Sequence, residues 1–294
     1  MPNHGYAFSS TIGGKEGGRV LLQHLASTYP HSDEAAWRQS LAHGEVTLDG
    51  RTATGDERLR PGQRLIWKRP PWQEPEAPLH YELLYEDAAV LAVNKPSGLP
   101  TLPGGGFLEN TLLHLVQRDF PEANPVHRLG RGTSGIVLFA RTAGAAARLS
   151  EFWNTERVKK IYRALATGRA ALDEYVIEQA IGLVPHPRIG RVWAAKDGGK
   201  PSKSVAQVLE RGDDSTTFAV TLHSGRPHQI RIHLASIGHP LVGDPLYGPG
   251  GLPLADLPGL PGDLGYLLHA GELRFEHPVS GAAVRVVAEP PRLG

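Results

Sequence analysis

The chain has no cysteine, a single methionine, only 7% aromatic residues and no long apolar run. Without thiols, disulfides and thiolate metal sites are excluded, and a reducing cytosol is a compatible compartment. A bilayer-spanning helix needs roughly 20 consecutive apolar residues, and no stretch approaches that. The opening Met1-Pro2-Asn3-His4-Gly5 has no basic segment leading into an apolar one, so no secretory signal is expected. These absences together predict a soluble, cytoplasmic protein without a membrane partner; a monomer is the separate expectation. Charge of one sign is also missing. The net charge is +1, which neither requires nor excludes a polyanionic partner, because local distribution decides that. What is abundant is turn chemistry: 35 glycines and 25 prolines among 294 residues, with 40% hydrophobic content. That combination predicts a loop-rich, β-containing protein with a real core.

The basic residues are unevenly spread. Arg58, Arg60, Arg64, Lys68 and Arg69 occur without an intervening acid; Arg157, Lys159, Lys160 and Arg163 form a second cluster; Arg188, Arg191, Lys196, Lys200 and Lys203 form a third, interrupted by Asp197. Any one of them reads as a solvated face, whereas three together read as a phosphate-contacting surface.

In chain order, residues 1 to 14 read as a loosely attached polar leader. Val20, Leu21, Leu22, His24 and Leu25 have helical spacing, and Ser32-Asp33 offers an N-cap for a second helix ending near Gly44. Val46 to Arg51 reads as a strand entering an Asp49-Gly50 hairpin turn, and Leu59 to Trp67 as a turn and closing strand. The proline-dense residues 71 to 80 read as a stiff linker. From Tyr81 the pattern is strand, acidic turn at Glu86-Asp87, strand, loop, and a short helix from Leu112. The glycine triplet Gly104 to Gly106 lacks a following Gly-Lys-Ser/Thr and is no phosphate loop. A helix over 143 to 154, strands over 159 to 166, 204 to 210 and 218 to 222, and a basic loop over 185 to 203 follow. The run from His228 to Leu234 reads as a strand, which sets His228 and His233 on opposite faces and argues against a shared metal.

The most informative stretch is His127-Arg128-Leu129-Gly130-Arg131-Gly132-Thr133-Ser134-Gly135, a glycine-punctuated turn running into the apolar Ile136 to Ala140. It resembles the signature of the RluA-like RNA pseudouridine synthases, H-R-L-D-x-x-T-S-G followed by an apolar strand, with Gly130 where the family has its catalytic aspartate. Gly225-Arg226-Pro227-His228-Gln229-Ile230-Arg231-Ile232-His233, Gly238 to Gly248, and Leu268-His269-Ala270 with Phe275 to Pro278 resemble three further family blocks in the same order. Residues 15 to 70 resemble an S4-type RNA-binding module, through Gly44-Glu45-Val46 to Gly50 and Leu59 to Leu65; a small cap packed on the main domain is the other reading of that segment.

The resemblance implies an α+β catalytic domain over 81 to 290, with a mixed, largely antiparallel sheet lining an RNA-binding cleft. It implies that uridine is isomerised to pseudouridine in a structured RNA, ribosomal or transfer. The N1 to C1′ bond breaks, the base turns, and C5 joins C1′. Nothing is oxidised or donated, so no cofactor and no metal are expected. The family's active-site tyrosine falls on Tyr162 and its site arginine on Arg231. RNA contacts fall on His127, Arg128, Arg131, Arg226 and His228, and in the N-terminal segment on Arg60, Arg64 and Lys68. Asp244, in a Gly-Asp-Pro turn, reads as a cap for backbone amides. Glycine at 130 has no side chain to attack or ionise, and no acid occurs between Glu122 and Glu151. Two readings follow: an enzyme in which a carboxylate from elsewhere in the fold, or one of the RNA's own groups, supplies the missing function, or a non-catalytic RNA-binding or assembly protein.

Overall fold

The computed structural model describes residues 2–29, 32–153, 155, 157–256 and 258–291. The chain divides into two compact units, Met1–Glu74 and Pro75–Gly294.

The first unit contains β1 (Tyr6–Thr11), α1 (Leu21–Thr28), α2 (Glu34–Ala42), β2 (Val46–Leu48), β3 (Arg51–Thr52) and β4 (Arg64–Arg69). The Asp33 side chain accepts the Ala36 N–H and starts α2. Asp49 and Gly50 both take positive φ, as a tight two-residue hairpin requires. The sheet runs β1-β4-β2-β3 and closes over Leu21, Leu25, Trp37, Val46 and Leu65. One expectation is corrected. The leader is no loose tail, because Tyr6 to Thr11 pair antiparallel with Arg69 to Arg64. This edge strand is paired on one side only and is exposed at all but one position, so it carries no buried alternation to read.

The second unit contains β5 (Glu82–Glu86), β6 (Val90–Lys95), α3 (Leu112–Asp119), β7 (Asn124–Pro125), β8 (Ser134–Ala140), α4 (Ala143–Phe152), β9 (Val158–Thr167), β10 (Glu174–Ile177), β11 (Ile181–His186), β12 (Gly190–Ala195), β13 (Ser204–Arg211), β14 (Ser215–Leu222), α5 (Gln229–Ser236), β15 (Leu268–Glu276) and β16 (Ala283–Val287). Asn154, the last residue of the helix read from the sequence, lies outside the described residues. The main sheet runs β10-β13-β14-β9-β15-β8-β6-β5. Its pairings are antiparallel except β15 with β8, so it is mixed and largely antiparallel.

Both faces of this sheet are covered. Leu91, Val93, Val137 and Phe139 face one cluster with α3 residues, and Val90, Ala92, Ile136 and Leu138 face another with α4 residues. This explains the continuous apolar run of β8, whose seven residues are all buried. Each large side chain there contributes about 1.5–3 kcal/mol by leaving water.

Two further expectations are corrected. The segment after His228 is the helix α5, in which Gln229 to Ala235 are all buried. An element enclosed on every side shows no amphipathic period, and Ile230 and Ile232 mimic strand alternation. The basic segment 185 to 203 is no loop throughout, because β11 and β12 pair from Ile181↔Ala195 to His186↔Gly190. That hairpin packs Ile181, Val192 and Ala194 against Ile232 and Ala235 of α5.

Candidate active site

The signature loop is braced from the segment after β6. Lys95, fully buried, donates from Nζ to the carbonyls of Leu99 (2.7 Å), Pro96 (2.9 Å) and Arg131 (3.4 Å). Burial without a carboxylate partner pulls its pKa down to about 7. Thr101 Oγ1 donates to Leu129 O at 3.0 Å, and Ser97 Oγ donates to Gly132 O at 2.8 Å. The loop closes on itself through Thr133 N–H to Gly130 O, 3.0 Å.

Gly135 fixes the next junction. Its φ is +107°, and a Cβ there would lie 2.3 Å from Ala270 O, so only glycine lets β8 run parallel beside β15 at His269↔Ser134 and Ala270↔Gly135. Ser134 Oγ and His269 Nδ1 lie 2.9 Å apart across this pair. Ala270 in turn faces Tyr162 on β9. Tyr162, Leu129, Ile230, Tyr266 and Ala270 therefore share one buried cluster. Burial pushes the Tyr162 hydroxyl up to about 12, so it is protonated at neutral pH.

Arg231 reaches this region from α5. It is 2% exposed and donates from Nε and Nη2 to the two oxygens of Asp244, both at 2.7 Å. The pair is a bidentate, planar one. Burial opposes the guanidinium charge, but the Asp244 hydrogen bonds and charge outweigh it and hold the Arg231 pKa above its ordinary value. The Asp244 carboxylate also caps the amides of Leu246 (2.8 Å) and Tyr247 (3.0 Å), as the Gly-Asp-Pro turn suggested. The guanidinium carbon lies 4.2 Å from the Tyr266 ring centroid and 5.0 Å from that of Tyr247.

His228 precedes α5 in a left-handed conformation, φ 58°. Tyr247 donates to Trp193 O at 2.5 Å, so the 2.7 Å contact with His228 Nδ1 has the imidazole as donor and leaves Nε2 as the acceptor nitrogen. Burial first, and then Arg231, bring the His228 pKa down to about 3, so the ring is neutral.

The remaining sequence candidates fall into two groups. Arg128 is exposed and close enough for its charge to act on His228. Arg60, Arg64 and Lys68 are exposed on the first unit. His127, by contrast, has a structural post: Nε2 accepts the Leu138 N–H at 3.0 Å and its ring stacks on Trp153 at 4.4 Å. Burial, with the Lys160 charge behind it, holds its pKa near about 3, so it offers no cation to phosphate. Arg131 braces the loop by donating to Gly98 O and lying over the Phe107 ring, and Arg226 donates to Pro201 O.

Sequence reasoning missed Tyr266 altogether, and it missed Asp244 as the partner of Arg231. Tyr266 has no motif of its own and becomes visible only through Gly130 and Gly132. A Cβ on Gly130 would lie 3.3 Å from Tyr266 Oη, and one on Gly132 would lie 2.9 Å from Tyr266 ring carbons. No group of three or more potential metal ligands occurs among the described residues, and no described helix is long and apolar enough to cross a membrane.

The comparisons with known proteins agree with this geometry. Residues 89–236 match the family model described as RNA pseudouridylate synthase. An uncharacterised RNA pseudouridine synthase of Synechocystis is 40% identical over 93% of this chain and 95% of its own length. RNA pseudouridine synthase 5 of Arabidopsis thaliana is 37% identical over 98% and 94%. Ribosomal large subunit pseudouridine synthase D of Neisseria meningitidis is 35% identical over 94% and 76%. Among solved structures, human RNA pseudouridylate synthase domain containing 1 superposes with a TM-score of 0.56 at 26% identity, covering 74% of this chain and 87% of the human one. None of these names supports the non-catalytic reading. The chain belongs to the RluA-like RNA pseudouridine synthases, enzymes that isomerise uridine within RNA.

Proposed function

We propose that the protein makes pseudouridine in large-subunit ribosomal RNA, with Tyr162, Arg231 and the loop from Leu129 to Thr133 forming the pocket for the flipped uridine. The observation that carries this reading is the meeting of three separated family blocks around one cluster: Leu129, Tyr162, Ile230 and Ala270 pack together. The substrate class rests on the relative named ribosomal large subunit pseudouridine synthase D. A base held in folded RNA must leave its stack to reach such a pocket. Arg128, exposed at the loop, then lies where backbone phosphates or the vacated stack need a cation. Tyr162 packs on the uracil face and its protonated hydroxyl donates the hydrogen bond that holds the base in register, and Arg231, ion-paired with Asp244, presents its guanidinium to the Tyr266 ring at the wall of the pocket.

The first unit serves as an S4-like RNA-gripping module in this reading. Arg60, Arg64 and Lys68 are exposed to contact phosphates, and Tyr6 and Phe8, 50% and 43% exposed, offer rings to unpaired bases. The test is a pseudouridine map of ribosomal and transfer RNA from a parent strain, a deletion strain, and the deletion strain carrying wild type or Tyr162→Phe. One large-subunit position is expected to lose its modification on deletion, to regain it with wild type and to stay unmodified with Tyr162→Phe. Identical maps in parent and deletion strains would reject the proposal.

A further inference from the structure

We propose that the Tyr266 hydroxyl takes the place of the carboxylate missing at position 130 and carries the proton that the isomerisation moves from C5 to N1; this rests on the synthase reading above. Four observations support the assignment. Gly130 is exposed, and the first atom its missing side chain would meet is Tyr266 Oη, 3.3 Å from the Cβ position. Gly132 is buried, and its lack of a side chain is what admits the Tyr266 ring, since a Cβ there would sit 2.9 Å from Cε1 and Cζ and 3.1 Å from Oη. The two glycines and the tyrosine are therefore complementary: the loop is emptied where the ring enters. The hydroxyl is fixed by Thr133 Oγ1 at 3.3 Å, and the Arg231 guanidinium lies 4.2 Å from the ring centroid.

The nearby carboxylate is already engaged. Asp244 makes two bonds to Arg231 and two to backbone amides, and its side chain is 1% exposed. No Asp or Glu lies between Glu122 and Glu151 to replace it from within the loop. Thr133 is a far weaker acid than a phenol, so its role is to orient the phenolic oxygen.

The step balances without any other reactant. Uracil N1 leaves C1′ with the bonding pair and takes the Tyr266 proton. The phenolate oxygen faces the electron-poor C1′, and the guanidinium over the ring stabilises the negative charge that develops there. After the base turns, C5 supplies the pair that forms C5–C1′. The phenolate then removes the C5 proton, which restores the uracil ring and the hydroxyl together. One proton leaves the tyrosine and one returns, and nothing is oxidised or reduced.

The test uses the full-length protein and total RNA from a deletion strain grown on uridine tritiated at C5, so that each isomerisation releases tritium to water whichever RNA is the substrate. Wild type is expected to release tritium. Tyr266→Phe, which keeps the ring packed on Gly132, is expected to lose on the order of 10²–10⁴-fold in rate while keeping its melting temperature and RNA affinity. A second variant carries 3-fluorotyrosine at 266, nearly the same in size but a stronger acid, and its pH–rate profile is expected to move to lower pH. A purely structural tyrosine would leave that profile in place. Tritium release by Tyr266→Phe within about threefold of wild type, or an unmoved fluorotyrosine profile, overturns the proposal. Absence of release by wild type itself would overturn the synthase reading and this proposal with it.

Discussion

Replacing Asp244 by asparagine is the most searching perturbation of the site's architecture. The Arg231 and Asp244 side chains are 2% and 1% exposed, so the substitution leaves a guanidinium buried beside a neutral amide. The amide oxygen can still accept one donor, but the second Arg231 bond, at 2.7 Å, would meet an NH₂ group. Breaking a buried pair from one side typically costs about 3–5 kcal/mol, because the surviving charge is left uncompensated. For a unit of this size about 1 kcal/mol corresponds to roughly 2–4 °C in melting temperature, so a drop of about 6–20 °C is expected for the second unit. Replacing both partners together, as Arg231→Met with Asp244→Leu, removes the orphan charge and is expected to be milder than the sum of the single changes. The assay is thermal and urea denaturation followed by tryptophan fluorescence. If Asp244→Asn lies within about 1 kcal/mol of wild type, or if the double change is additive, the pair does not hold α5 to the turn before Pro245 in the way described.

Three other outcomes follow from particular interactions. Gly135→Ala would drive a Cβ to 2.3 Å from Ala270 O at φ +107°; we expect disruption of the β8–β15 pairing and a cost of several kcal/mol in stability, read as insoluble or early-melting protein, and a wild-type melting curve would refute it. His127 and His228 are held neutral to about pH 3, and His233 to about pH 4. Because their folded pKa values lie below the unfolded value, the unfolded chain binds more protons from about pH 6.5 downward. Stability should therefore fall between pH 6.5 and 5, on the order of 1 kcal/mol per histidine, and flat urea midpoints across that window would contradict this. Replacing Arg60, Arg64 and Lys68 by glutamate should weaken RNA binding and lower the salt slope by about one for each phosphate no longer neutralised, and an unchanged slope would remove the first unit from the RNA interface.

Much of the fold was legible because local chemistry and pattern agreed. Asp33 caps a helix, Asp49-Gly50 turns a hairpin, and the run after Gly135 is a strand buried on both faces. The errors arose where tertiary enclosure overrode periodicity. Helix α5 is buried all round, so its isoleucines at 230 and 232 imitated a strand. Strand β1 is an exposed edge strand paired with β4 alone, so no buried alternation marks it in the sequence. The site was half legible. Motif order pointed to Tyr162 and Arg231, and the structure links them through Tyr266, which shares a cluster with Tyr162 and lies under the Arg231 guanidinium, but an ion pair 13 residues apart in sequence and a tyrosine far along the chain from Gly130 leave no local trace. Gly130 read as a loss, and only the ring lying against Gly132 shows what fills the space.

Turnover without a carboxylate at position 130 is the claim on which the rest depends. The direct measurement is to incubate purified protein with RNA from a deletion strain at a small molar fraction of protein, and to count pseudouridine formed per protein molecule at each position. Many equivalents are expected at a defined uridine, abolished in Tyr162→Phe. No pseudouridine, or no more than one equivalent per protein, would contradict the claim.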